Sequence, residues 1–134
     1  MPAKDFGDVV ALLMTSPIHR AWTVADLERL IRPPLRLDQC VLIRDGSTLT
    51  GYGSYAFLTE EAEAGFISGD RKIGDTDWRG GDRIWFMDAI ASNGDAKKVT
   101  AAMRKDLRDL GFAGRMIRFR RNKGGHRRYS KVII

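Results

Sequence analysis

The sequence predicts a single-domain α/β fold of the α+β kind: a mixed, mostly antiparallel sheet with helices on its faces, in the order α-α-β-β-α-β-α-β-β. Three observations carry this. Two segments, near residues 5–16 and 96–110, repeat apolar side chains at three and four positions, as a helix with one buried face does. Short apolar runs bounded by turn residues fill 39–58, 83–91 and 115–134, the pattern of strands. Finally, 134 residues with 43% hydrophobic and 30% charged side chains suit one packed core, so residues 1–134 are read as one domain.

The first helix is expected over Asp5–Ser16, with Phe6, Val9, Val10, Leu13 and Met14 on its apolar face. Ser16-Pro17 ends it, since a residue before proline is pushed out of the helical region, and His19 falls in the turn that follows. Thr23 is placed to cap Asp26 at the start of a second helix through Leu27, Leu30 and Ile31, which Pro33-Pro34 is expected to stop. Gln39–Arg44 and Thr48–Leu58 read as antiparallel strands joined at Asp45-Gly46, a hairpin dipeptide. Thr59 and the glutamates after it open a short helix to Phe66. The Gly- and Asp-rich stretch Ser68–Asp82 reads as loop, anchored by Trp78. Arg83–Ala91 is strand-like, with Asp88 in its middle, and leads through Ser92–Asp95 into a helix marked by Val99, Ala102, Met103 and Leu107 and capped at Gly111. Arg115–Arg121 and Arg128–Ile134 alternate as two more strands, with a turn expected at Gly124-Gly125.

The net charge of +6 is concentrated at one end: residues 114–134 hold eight Lys or Arg and no Asp or Glu. A basic surface of this kind attracts phosphate, anionic lipid or an acidic protein, and composition does not choose among them. The longest apolar run, Val9–Met14, falls far short of the ~20 residues that span a bilayer, and no basic, then apolar leader opens the chain. A cytoplasmic location is expected. The single cysteine, Cys40, lies in the apolar run Cys40–Ile43, where a buried structural thiol is expected.

An acid among strand apolars needs a partner, because a buried carboxylate must be compensated for lost water. Of the two histidines, His126 sits among the terminal arginines, whereas His19 lies in Ser16-Pro17-Ile18-His19-Arg20 between two helices and is the better candidate for Asp88. Such a pair fixes the imidazole tautomer and supports it as a base toward an attacking amine or hydroxyl. Alternatively Asp88 pairs with an arginine and His19 caps a helix; the residues alone leave both open.

The run Ser16–Arg20, Trp22 three residues after the histidine, and Gly81–Ala91 with Gly94-Asp95 resemble the toxin-activating lysine acyltransferases that accompany haemolysin-type RTX toxins, as does Met103-Arg104-Lys105. The resemblance covers about residues 6–120 in order and spacing. It implies a GNAT-like fold, that of the GCN5-related acetyltransferases, and transfer of a fatty acyl group from acyl carrier protein to the ε-amine of a lysine in a protein acceptor. It gives His19 and Asp88 the catalytic roles, with Ser16 in support, and implies enzymes that are often dimeric. In place of the family's usual aromatic residue after the aspartate and proline four residues after it stand Ala89 and Ser92, and Leu30 stands where an asparagine is common.

The strand–loop–helix junction formed by Ala91, Ser92, Asn93, Gly94 and Asp95, with Lys97 and Lys98, offers unpaired N–H groups and a helix dipole to an anion, and suits a phosphopantetheine thioester. Arg108-x-x-Gly111-x-Ala113 matches an acetyl-CoA signature but falls at a helix end, where glycine is a cap. Arg118, Arg120, Arg121, Arg127 and Arg128 form the expected basic docking surface, suited to acyl carrier protein or an acidic acceptor loop. No metal site and no permanently bound cofactor is expected. Two alternatives stay open: a nucleic-acid-binding protein that uses those arginines around Phe119 and Tyr129, and an acetyl-CoA-dependent N-acyltransferase of the same fold.

Overall fold

The computed structural model describes residues 2–123 and 126–134, with the side chains at 122, 123, 126 and 127 outside the description. Helix α1 spans Ala3–Leu13, and Val9, Leu12 and Leu13 are its buried stripe. It ends before Ser16, where the amides of Thr15 and Ser16 bond back to Leu12 and Leu13. A 3₁₀ turn over His19–Ala21 follows, then α2 (Val24–Leu30), opened by the reciprocal hydrogen bonds of Thr23 and Asp26. Pro33-Pro34 does not stop the helical region. A further helix, α3 (Arg32–Leu37), begins there, because prolines in a first turn lack only amides that the helix leaves unbonded.

The sheet is β1 (Cys40–Asp45), β2 (Thr48–Leu58), β3 (Arg83–Ala91), β4 (Met116–Lys123) and β5 (His126–Ile133), in that spatial order. Neighbours are antiparallel except β3 and β4, which run parallel. Gly46, at φ 61°, makes the β1–β2 turn; the turn expected at Gly124-Gly125 lies outside the described residues. Between β2 and β3 come α4 (Glu60–Ser68) and a 3₁₀ turn (Asp75–Trp78) in the segment read as loop. Trp78 does anchor it, fully buried, with its indole N–H donating to the Arg29 carbonyl at 3.2 Å. Helix α5 (Lys97–Leu107) connects β3 to β4 and runs into a π-helical turn that closes at Gly111, φ 98°.

Helix α1 packs on one face of the sheet against Tyr52 and Ile90. On the other face α5 sets Val99, Met103 and Leu107 against Tyr55, Phe86 and Ile117. Two features of this frame shape the site. Ser54 pairs with Asp88 but Tyr55 pairs with Phe86, so Met87 is an extra residue, a bulge in β3. The parallel pairing of β3 with β4 covers only Ile84–Phe86 against Ile117–Phe119, and beyond it the two strands have no ladder between them.

Candidate active site

Proline at position 17 turns the chain so that Arg20 N–H bonds to the Ser16 carbonyl and Trp22 N–H to that of His19. The turn presents the imidazole to the sheet, its ring 4.7 Å from that of Trp22. His19 Nε2 stands 3.1 Å from Asp88 Oδ1, and Nδ1 stands 2.6 Å from Ser16 Oγ. The His19 and Asp88 side chains are only 13% and 10% exposed. Burial raises the Asp88 carboxyl above the usual carboxylate range, while the hydrogen bond and charge of His19 and the charge of Arg120 pull it down. With Asp88 ionised, Nε2–H donates to it, which leaves Nδ1 as the acceptor for the Ser16 hydroxyl. The arrangement is therefore a hydroxyl, an imidazole and an orienting carboxylate in line.

Asp88 lies just past the bulge, where β3 and β4 part. Two cavities, about 310 and 370 Å³, meet there, and both are lined by Met87, Asp88 and Arg120. The first opens toward α5 and is walled by Thr100, Arg104, Phe119 and Arg121. The second opens on the side of Trp22 and carries Asp26, Arg29, Arg71 and Lys72. Asp88 thus borders a cavity on either side of it.

The expected donor loop is elsewhere. Ala91, Ser92, Asn93, Asp95 and Lys98 line a separate cavity of about 420 Å³ beside Thr50, and Asp88 is not in its wall. Several of its amides are already bonded: Ser92 N–H to Thr50 O, Gly94 N–H to Ala91 O, Asp95 N–H to Asn93 Oδ1 and Lys97 N–H to Asp95 Oδ1. Lys97 and Lys98 are exposed. The basic residues do not share one face. Arg118 faces Glu63 at 3.7 Å, and Arg120 lies over Phe66 at 5.2 Å. Arg121 lies over Phe119 on the α5 side, opposite Arg128 in the β4–β5 register, and the Arg127 side chain lies outside the description. Cys40 is half-buried, and burial pushes its thiol up to about 12, far from a reactive thiolate. Among the described residues no three His, Cys, Asp or Glu side chains are grouped to hold a metal ion, and no helix is long and apolar enough to cross a membrane.

Sequence reasoning missed Thr100 and Arg104, whose i, i+4 spacing on the polar side of an amphipathic helix was the available signal. It also missed Arg29, Arg71 and Lys72, which no local pattern marks.

Residues 2–133 match the sequence model of the RTX toxin acyltransferase family. Among curated proteins, the chain is 34% identical to the RTX-II toxin-activating lysine-acyltransferase of Actinobacillus pleuropneumoniae, over 92% of its own length and 80% of that protein's. It is 33% identical to a protein-lysine palmitoyltransferase of Bordetella bronchiseptica over 90% of this chain and 66% of the relative. With a protein-lysine myristoyltransferase of Escherichia coli the identity is 34% over 81% of this chain and 62% of the relative.

Proposed function

The chain belongs to the RTX toxin acyltransferase family, and from that premise we propose that it transfers a fatty acyl group from a phosphopantetheine thioester on acyl carrier protein to the ε-amine of a lysine in a protein acceptor. The observation that carries this reading is the His19–Asp88 contact of 3.1 Å at the point where the two cavities meet. A two-substrate transfer needs such a place, open to a donor from one side and to an acceptor from the other. The gap between β3 and β4, walled by Thr100, Arg104, Phe119 and Arg121, receives the acyl-bearing arm, its amides against the unladdered edge of β3. The lysine enters from the Trp22 side.

A free lysine has a pKa of about 10.4 and must lose a proton before it can attack. That first proton leaves to solvent; as the neutral amine attacks, His19 Nδ1 takes a further N–H proton through the Ser16 hydroxyl that occupies it, while Asp88 holds the ring and offsets the imidazolium charge. The amine nitrogen bonds to the thioester carbonyl carbon and the C–S bond breaks. The departing thiolate then recovers the proton from the imidazolium. Arg104 and Arg121, in the same cavity as Asp88, supply positive field to the oxyanion and thiolate.

The 2.6 Å contact of Ser16 with His19 also favours a second route, in which Ser16 Oγ takes the acyl group as an ester and passes it to the lysine. Intact-mass analysis tests both. With acyl carrier protein of several chain lengths and an RTX-type acceptor, the acceptor should gain one acyl mass per modified lysine. Acyl mass on the enzyme after donor alone, absent in Ser16→Ala, marks the two-step route; no acceptor gain with any donor overturns the function. A homodimer and a cytoplasmic site of action belong to the same proposal, and sedimentation of the full chain checks the first.

A further inference from the structure

Beneath Asp88 the sheet carries two hydroxyls that the reaction above leaves unused. In register, Ser54 stands between Cys40 of β1 and Asp88 of β3, and Tyr52 occupies the next row between Leu42 and Ile90. Residues two apart on a strand share a face, so Ser54 and Tyr52 project on the side that carries Asp88. Both are 0% exposed. The two hydroxyls interact with each other, the Ser54 hydroxyl acting on the Tyr52 phenol, but among the described residues neither meets a partner at full hydrogen-bond geometry. An unpaired buried hydroxyl costs ~1–3 kcal/mol, so two of them side by side call for an explanation.

An acceptor stands opposite Ser54, on Asp88. Asp88 bonds to His19 through Oδ1, and among the described residues nothing bonds to its other oxygen. The charges of Cys40 and Asp88 add to burial in raising the Tyr52 phenol well above its ordinary range, and the Ser54 hydroxyl works the other way, so the four groups are near neighbours.

We propose that Ser54 and Tyr52 are positioning residues for Asp88, whose hydroxyls reach its second carboxylate oxygen across one buried water and keep it ionised and aimed at His19. This role rests on the reading of His19 and Asp88 as the reacting pair, but its primary readout does not. The other charged or titratable groups that face Asp88 are His19, Arg120 of β4, Arg104 and Arg121 across one cavity, and Asp26, Arg29, Arg71 and Lys72 across the other, with Cys40 below. All of them stay in place when a hydroxyl is removed from Ser54 or Tyr52.

The test uses the full chain as Ser54→Ala, Tyr52→Phe and the double variant, with Asp88 titrated by its carboxyl ¹³C shift in the absence of substrates. Loss of donors to a carboxylate raises its midpoint, and the double variant should show a rise of roughly one pH unit. The acid limb of kcat against pH should move with it while KM for the donor holds, and Ser54→Thr, which keeps the hydroxyl, should restore the parent midpoint. A double variant that titrates like the parent overturns the role. A midpoint that rises without moving the acid limb supports the positioning role and counts instead against Asp88 as a participant in the transfer.

Discussion

Removing the imidazole isolates what the base contributes. His19→Ala should lose about 10² to 10⁴ in kcat while donor binding persists, because the cavity on the α5 side contains none of the removed atoms. Single-turnover acyl transfer with donor in excess measures it, and near-parent rates would sink the mechanism. Asp88→Asn should be almost as damaging, since an amide does not offset an imidazolium. Its stability should move the other way. Burial raises the Asp88 carboxyl, so the folded state holds a proton that the unfolded state has released, and stability falls as pH climbs through the window between the ordinary and the raised value. Ionised Asp88 is thus destabilising at neutral pH. Asp88→Asn should melt higher than the parent at pH 7, with the advantage shrinking as the pH falls below the ordinary carboxylate range. Melting curves at several pH values check it, and an advantage that grows toward acid would contradict the cause.

At the scale of elements, α5 sits close on the sheet because β2 presents Gly51 and Gly53 beneath it. A Cβ on Gly53 would stand 2.8 Å from Val99 Cγ1 and closer still to Met103, and one on Gly51 would stand 2.8 Å from Val99 Cγ2. Gly53→Ala should therefore cost ~1–3 kcal/mol as overpacking, read as a lower denaturant midpoint with an unchanged slope. Helices and strands with a clean period were legible: α1, α5, β2 and β3 stand close to where their apolar spacing put them. So was the pair His19–Asp88, because two linked motifs narrowed the choice of partner. Three features were not. Pro33-Pro34 reads equally as a stop or as a first turn, and tertiary packing chose the latter, with both prolines buried. The bulge at Met87 is a matter of register between strands, which one strand's sequence does not encode. The separation of β3 from β4 depends on how many residues pair across a parallel contact, and that too is invisible in either strand alone.

At the scale of the whole molecule, Glu63 of α4 joins elements far apart in the chain. Its carboxylate accepts from Trp85 Nε1 and Arg83 Nη1, each at 2.7 Å, and faces Arg118 of β4 at 3.7 Å. Glu63→Gln should cost ~1.5–3 kcal/mol, the range for hydrogen bonds to a charged group, and thermal melts of the pure variant check it. The arginines on the α5 side belong to encounter rather than to stability. Neutralising Arg121 and Arg128 should slow donor association and flatten its dependence on salt while leaving the melting temperature close to the parent's.

Helix α1 and the turn after it rest on the sheet through Val9, Leu12 and Leu13, and through Arg44 of β1, which bonds Asp5 and Asp8 at 2.8 Å each. His19, which that segment carries, is 69 residues from its partner along the chain. Local opening of one helix requires less free energy than global unfolding, and partly exposed ion pairs weaken with salt. Inactivation and melting are therefore expected as separate events. On heating in high salt the catalytic rate should decay at a temperature where circular dichroism still reports an intact sheet, and cooling should return the activity at the speed of a helix settling onto a surface already built.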